Sequence, residues 1–209
     1  MFLDELPEFN RNTLEVLRGP LEDGEITIGR ATQVLTYPCK FMLVASMNPC
    51  PCGFYGSDKE CRCSEESIKR YLGKISGPLL DRIDIQVEVN SVKYENLSSS
   101  NDEESSEEIR KRVNMARNIQ KKRYANMGIF SNSELTPALM EEFCKLDSSG
   151  RTILKSAFEK LGFSARAYGR ILKVARTIAD LDGSSNIMDK HLLEAIQYRN
   201  LDKKYSGVM

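Results

Sequence analysis

The 209-residue sequence contains no tryptophan and one histidine, His191. That imidazole lies far along the chain in a helical-looking segment. Nothing near it completes a Ser/His/Asp or Cys/His nucleophilic site. A net charge is also missing. Thirty Lys+Arg offset thirty Asp+Glu, so only local clustering can argue for an anionic partner. The longest apolar run, Phe41 to Met47, falls far short of the roughly 20 residues that a membrane span needs. Met1-Phe2-Leu3-Asp4-Glu5 has neither the basic n-region nor the cleavage pattern of a signal peptide, so the chain reads as cytoplasmic, with no membrane contact. No G-x-x-x-x-G-K-[ST] phosphate loop occurs. Gly73-Lys74 is followed by Ile75 and has no glycine five positions ahead, so phosphate binding by backbone N–H groups at such a loop is not encoded.

What is present suits one large domain or two small ones: 41% of residues are hydrophobic and 29% charged. The first half reads as α/β. Leu6 to Leu17 is a plausible helix. Ile26-Thr27-Ile28 and Val34-Leu35-Thr36-Tyr37 suggest a hairpin, and Phe41 to Ala45 reads as a strand buried on both faces. Ile83, Ile85, Val87 and Val89 alternate with Asp84, Gln86 and Glu88, the pattern of a half-exposed strand. Glu95 to Glu108 is acidic, serine-rich and nearly free of apolar residues, which predicts a solvated linker. Everything after it has helical period: Ile109–Tyr124, Thr136–Leu146, Ser149–Leu161, a helix capped by Ser164 and ended by Gly183, and a last one capped by Asp189 and running through Gln197. Three segments result, 1–94, the linker 95–108, and a helical region 109–209.

Phe2-Leu3-Asp4-Glu5 carries an apolar strand end into two adjacent carboxylates. In nucleotide-hydrolysing α/β folds the first acid there holds Mg²⁺ and the second orients or deprotonates the attacking water. Alone, the pair also reads as an exposed acidic helix cap. The order of the downstream segments adds weight. Asn48-Pro49 closes the Phe41–Ala45 run, where an amide can polarise a water against a γ-phosphate or merely terminate a strand. Further on, Gly77-Pro78-Leu79-Leu80-Asp81-Arg82-Ile83-Asp84 sets an arginine at a strand start, where it could equally pair with Asp81 and Asp84.

The strings FLDELPEF, LEDGEITIGRA, FMLVASMNPCPCG, ISGPLLDRIDI and SARAYGRILKVARTIADL, with the Cys61-Arg62-Cys63 pair, span nearly the whole chain. Together they resemble the AAA+ ATPases of the magnesium-chelatase-like group, most closely its competence-protein ComM (YifB-type) subfamily. The resemblance implies a partial AAA+ P-loop core, with a truncated parallel sheet, followed by an all-α lid. It makes Asp4 and Glu5 the Walker B pair, Asn48 sensor 1, Arg82 an arginine finger for a neighbouring subunit's γ-phosphate, and Arg166 the sensor 2 arginine. Arg170, four residues on, is the reserve for that last role. The Ile26–Tyr37 hairpin resembles the pre-sensor-1 hairpin of such rings. ATP and Mg²⁺ are the implied cofactors, a ring of identical subunits and DNA the implied partners, and branch migration in recombination of incoming DNA the implied work. The missing phosphate loop marks the departure. The expectation is a C-terminal part of a longer protein, beginning at Walker B and inactive towards ATP by itself. A magnesium-chelatase motor subunit and a non-enzymatic, zinc-braced interaction module are the alternatives.

Four of the six cysteines, Cys50, Cys52, Cys61 and Cys63, form C-x-C-x8-C-x-C. In a reducing compartment such clustering argues for metal, and four thiolates suit structural Zn²⁺, although two-residue spacers are commoner. Unliganded thiols, an Fe–S cluster and disulfides stay open. Cys39 and Cys144 read as core residues. Finally, Ile109 to Arg123 holds Arg110, Lys111, Arg112, Arg117, Lys121, Lys122 and Arg123 and no acid. That helix suits either nucleic-acid phosphates or a solvated face satisfied by the acidic run before it.

Overall fold

Two short parallel strands anchor the N-terminal part of the chain. β1 (Phe2–Leu3) pairs with β4 (Val44–Ala45) in the register Phe2↔Val44 and Leu3↔Ala45. The computed structural model describes residues 1–30, 33–89 and 104–199, which fall into two compact units, 1–83 and 84–199. Among the described residues no helix is long and apolar enough to cross a membrane.

In the first unit, the run expected to be a strand from Phe41 to Ala45 contracts to β4. Met42 is 77% and Val44 46% exposed. Burial on both faces requires neighbours on both, and among the described residues β4 has only the two residues of β1. The hairpin forms as expected, from β2 (Glu25–Arg30) and β3 (Gln33–Pro38), with Ile26↔Tyr37 and Ile28↔Leu35 opposite one another. The single helix expected over 6–17 is divided. A 3₁₀ turn spans Leu6–Glu8 around Pro7, which has no N–H to give. Asn10 then caps α1 (Arg11–Val16), its side chain accepting from the Asn12 N–H at 2.9 Å. α2 (Arg18–Asp23) stops at Gly24, whose φ of 68° suits glycine. Two more helices, α3 (Glu65–Leu72) and α4 (Gly77–Leu80), are capped by Ser64 and Ser76. The core is split. Leu6, Leu14, Ile75 and Leu79 form one cluster, and Cys50, Ile68, Tyr71 and Leu72 another.

The second unit begins with the stretch whose alternation predicted a strand. Ile83–Val89 forms no strand, and Ile85, Val87 and Val89 are exposed. Period-2 sequence supplies one half of a ladder only. Among the described residues no strand lies alongside, and Gln86 N–H donates instead to the Tyr198 carbonyl at 2.8 Å. Most of the acidic linker lies outside the described residues. Its end is already helical: Ser105 caps α5 (Ser106–Arg123) in a capping box with Glu108. α6 (Pro137–Phe143), α7 (Ser148–Leu161), α8 (Ala165–Leu181) and α9 (Asp189–Gln197) come next. Ser164 caps α8 as expected. Past its end, Ser184 N–H reaches Ala179 O and Gly183 N–H reaches Asp180 O, the paired bonds of a Schellman stop. Asp189 does not cap α9. Met188 occupies that position, and its N–H donates to Nδ1 of the buried His191, whose Nε2 meets Asp182 at 3.1 Å.

One apolar cluster runs through these helices, from Tyr124 to Ile196, and includes Cys144. Burial pushes the Cys144 thiol up to about 11, consistent with an inert core cysteine. A buried ionic knot lies inside. Asp180, with no exposed side-chain surface, accepts from Arg123 at 2.5 and 2.9 Å, from Arg176 and from Asn132, while Tyr124 O–H donates to Asn132. Burial lowers both guanidiniums. At Arg176 it prevails, whereas at the less buried Arg123 the Asp180 contact outweighs it and raises the group.

Candidate functional site

The β1–β4 pair ends with its chemistry side by side. Because the strands are parallel and in register at Leu3↔Ala45, the next residues, Asp4 and Ser46, emerge from the same end. Ser46 Oγ donates to Asp4 Oδ1, and Glu5 N–H donates to the same oxygen at 3.2 Å. Leu6 N–H then donates to the Ser46 carbonyl at 2.8 Å, stitching the two chain ends beyond the strands. Ser46 was not anticipated from the sequence. A lone serine after an apolar run carries no motif, and only the register shows that it faces Asp4.

Both carboxylates are exposed. Glu5 turns the chain with φ 51° and ψ 52°, a left-handed conformation that costs a side-chain-bearing residue about 1–2 kcal/mol. Non-glycine residues are held this way where surroundings over-determine them. Here the fixed neighbours are the Leu6–Ser46 bond and the buried Leu6 and Pro7.

Asn48 lies two residues past Ser46. Met47, just before it, packs against the cluster that holds Tyr71, a buried phenol on α3 whose acidity burial weakens and which feels the Asn48 backbone and the charges of Glu8 and Glu5. The strand end, Asn48 and α3 are thus one neighbourhood. Tyr71 also escaped the sequence reading, since a tyrosine on an amphipathic helix looks like core.

Arg82 lies within the first unit, with its side chain 8% exposed. Nε meets Glu22 at 2.9 Å and the Arg18 carbonyl at 3.1 Å, and Nη1 donates to the Pro78 carbonyl at 2.7 Å. Of its expected partners, Asp84 instead pairs with Arg170 at 2.5 Å in the helical unit. Arg166 is exposed in the first turn of α8.

The four clustered cysteines do converge. All four sulfurs lie within 4.8 Å of one another, with Cys50–Cys52 at 3.4 Å, Cys52–Cys61 at 3.6 Å and Cys50–Cys61 at 3.8 Å. Thiolates at about 2.3 Å from a tetrahedral Zn²⁺ would sit roughly 3.8 Å apart, so the set fits that ion. All six cysteines are free. The Phe54 backbone N–H holds the Cys52 thiol down at about 6, while the Cys52 sulfur and burial push Cys63 up to about 12. Cys61 is raised too: its bond to the Cys63 backbone is outweighed by burial and the neighbouring sulfurs. Tyr55 N–H donates to Cys50 Sγ at 3.3 Å, a typical support for a coordinating sulfur.

Comparison with known proteins gives a consistent result. The profile described as "Magnesium chelatase, subunit ChlI" matches residues 1–97, and "Magnesium chelatase, subunit ChlI C-terminal" matches residues 103–199. Competence protein ComM of Haemophilus influenzae is 46% identical over 200 residues, 95% of this chain and 38% of that protein. The uncharacterized protein YifB of Escherichia coli is 44% identical over 204 residues, 97% of this chain and 39% of that protein. An uncharacterized protein of Mycobacterium tuberculosis is 37% identical over 199 residues, again 39% of its length. The chain therefore spans about two fifths of the curated relatives it matches.

Proposed function

The chain belongs to the magnesium chelatase ChlI family of AAA+ type, among relatives of ComM and YifB, and from that premise we propose that it forms part of an ATP-dependent ring motor that remodels DNA. The observation that carries this reading is the parallel β1–β4 register, which sets Asp4, Glu5 and the Ser46–Asn48 segment at one strand end.

The donors fit the cofactors implied. Asp4 is an exposed carboxylate whose Oδ1 is steadied by Ser46 and the Glu5 N–H, and a hard oxygen donor suits Mg²⁺. Mg²⁺, when bound with ATP, neutralises charge on the phosphates. Glu5, exposed and turned by its left-handed backbone, serves to orient or deprotonate the attacking water. Asn48 positions that water. Arg82 serves the γ-phosphate of a neighbouring subunit, which requires exchanging Glu22 for phosphate and makes hydrolysis depend on ring assembly. Arg166 serves as the sensor 2 group on a helical lid. The four cysteines hold Zn²⁺ as a closed structural site bracing the loop after Asn48.

The test is steady-state ATP hydrolysis by the full-length protein without DNA, with duplex and with four-way-junction DNA. Branched DNA should stimulate turnover, and Glu5→Gln and Arg82→Ala should each abolish it. This chain alone, without a phosphate loop, should show none. Turnover indifferent to every DNA would sink the DNA assignment and bring forward a second reading. The matched profiles name magnesium chelatase, whose motor would serve metal insertion into a porphyrin. Porphyrin-stimulated hydrolysis would support that alternative.

A further inference from the structure

Seven cations crowd the helix from Ile109 to Arg123, and the fold disposes of them unequally. Arg123 is drawn inward to Asp180. Arg112 pairs with Glu104 and Lys111 with Glu107, both at 2.8 Å. Glu108 is occupied by its capping box with Ser105. Arg110, Arg117, Lys121 and Lys122 remain exposed, and among the described residues no acid is paired with them.

Helical geometry aligns three of these four. At about 100° per residue, Arg110, Arg117 and Lys121 fall within roughly 40° of one another. Asn114 and Asn118, both exposed, lie alongside on the same side of the helix. The face packed inward is a different one, holding the buried Ala116 and Gln120. The stripe spans eleven helical rises from Arg110 to Lys121, or roughly 16 Å. A nucleic-acid strand rises by about 3.4 Å per nucleotide, so the stripe matches four or five nucleotides of backbone. Three cations spaced by neutral amide donors, on a rigid helix rather than a loop, suit a linear array of phosphates better than a single compact anion. An ordinary solvated face would interleave acids at i,i+4, and between Ile109 and Arg123 there are none.

We propose that the solvent face of α5, through Arg110, Arg117 and Lys121 with Asn114 and Asn118 between them, is a sequence-independent contact surface for the nucleic-acid backbone. The choice of nucleic acid as the polyanion rests on the DNA-remodelling reading of the proposed function. The placement of the contact rests on the stripe alone. Binding there is electrostatic, weakens steeply with salt and carries no base specificity.

The test is fluorescence anisotropy of the full-length protein with labelled duplex and labelled single-stranded DNA, between about 50 and 200 mM salt. Wild type is compared with Arg110→Gln/Arg117→Gln/Lys121→Gln. A control of equal charge loss, Lys145→Gln/Arg151→Gln/Lys155→Gln, alters exposed cations on the neighbouring α6–α7 segment. With three phosphates neutralised, the slope of log affinity against log salt should flatten by about 2.7 on duplex and about 2.1 on single strands for each engaged subunit. Affinity near 0.1 M salt should fall roughly 10- to 100-fold, while the control stays within about twofold. Equal losses in both triple variants would overturn the proposal, leaving only general charge attraction. DNA binding unchanged in the stripe variant would overturn it while leaving the DNA motor standing. Failure of the wild type to bind any DNA would overturn both. All six positions are exposed, and unchanged thermal unfolding identifies a variant whose loss is one of contact rather than of fold.

Discussion

The helical unit and the strand-bearing unit solve the same problem differently. The former has one continuous core, with thirteen buried residues from Tyr124 to Ile196 among those described, and an ionic knot set inside it. The latter divides its burial between two clusters of four, and one of these is built around a cysteine. Its strands leave Phe2 and Val44 exposed, as is Met42 just before β4. The candidate catalytic carboxylates sit in the thinly packed unit, at the end of strands only two residues long. Site chemistry needs exposed, strained or charged groups, which a small apolar core supports poorly, and a metal node is one remedy. The difference teaches that the two units should fail separately and for different reasons.

Metal removal should produce the largest separation. The Cys50, Ile68, Tyr71 and Leu72 cluster is packed against Cys52, Cys61 and Cys63, so removing the proposed zinc would leave four thiols in place of the bonds proposed to hold the loop together. A strong chelator, or Cys61→Ser with Cys63→Ser, is expected to unfold or loosen the first unit while helical circular dichroism from α5 to α9 persists. Substituted Co²⁺ should give the thiolate-to-metal absorption of a four-sulfur site. Simultaneous melting of both units would break the comparison, and absence of any bound metal from the purified protein would remove the remedy argued for it.

Asp180→Ala is the reciprocal experiment. It strips the shared carboxylate from Arg123 and Arg176, leaving two poorly solvated guanidiniums without their counter-charge. Breaking a buried pair in this way costs about 3–5 kcal/mol. Urea unfolding of the helical unit should shift by that amount, with Co²⁺ absorption at the cysteines unchanged. A loss below about 1 kcal/mol would mean that water reaches the knot and that the unit is less dry than its burial suggests.

The start of α5 offers a smaller probe of the same unit. Glu108 stands below its ordinary carboxylate range because the Ser105 backbone N–H and hydroxyl donate to it. With the folded value depressed, this cap contributes at neutral pH, and its contribution is lost as pH falls through that folded value. Ser105→Ala should cost about 1 kcal/mol. Protection of the first-turn amides against hydrogen exchange, measured relative to the intrinsic rate at each pH, should drop in the variant and, in wild type, as pH falls below the ordinary glutamate range, with the core amides unaffected.

Legibility in the sequence followed the range of the interaction that decides each element. Ser164, Gly162 and Gly183 mark helix ends through bonds made within a turn, so α7 and α8 could be read with little error. Pro7 and Asn10 are equally local signals, and it is at these two residues that the helix expected over 6–17 divides. Strands were harder, because a ladder partner is never local. Ile83–Val89 alternates correctly but forms no strand, and among the described residues only two of Phe41–Ala45 pair in a sheet. The same holds at the site. Cys50, Cys52, Cys61 and Cys63 announced themselves by spacing, whereas the Ser46–Asp4 bond and the Arg82–Glu22 pair span 42 and 60 residues and have no motif. Only the family resemblance implies the roles proposed for Asp4, Glu5 and Asn48, which spacing alone left ambiguous.

The smallest expected effect tests whether the thin unit gives up stability for its chemistry. Glu5 is held at φ 51°, a conformation that glycine adopts without the steric cost. Glu5→Gly should therefore recover about 1–2 kcal/mol of strain, less about 0.5–1 kcal/mol for the greater freedom of glycine in the unfolded chain. A net gain of roughly 0–1.5 kcal/mol in the first unit is expected from these two effects. Glu5→Gln keeps the strain and removes the charge, so it should leave stability near wild type. Both variants should abolish ATP turnover by the full-length protein. Gain in the glycine variant without gain in the glutamine variant would assign the stability deficit to the backbone turn that presents the carboxylate. Equal behaviour of the two would mean that the turn is relaxed in solution.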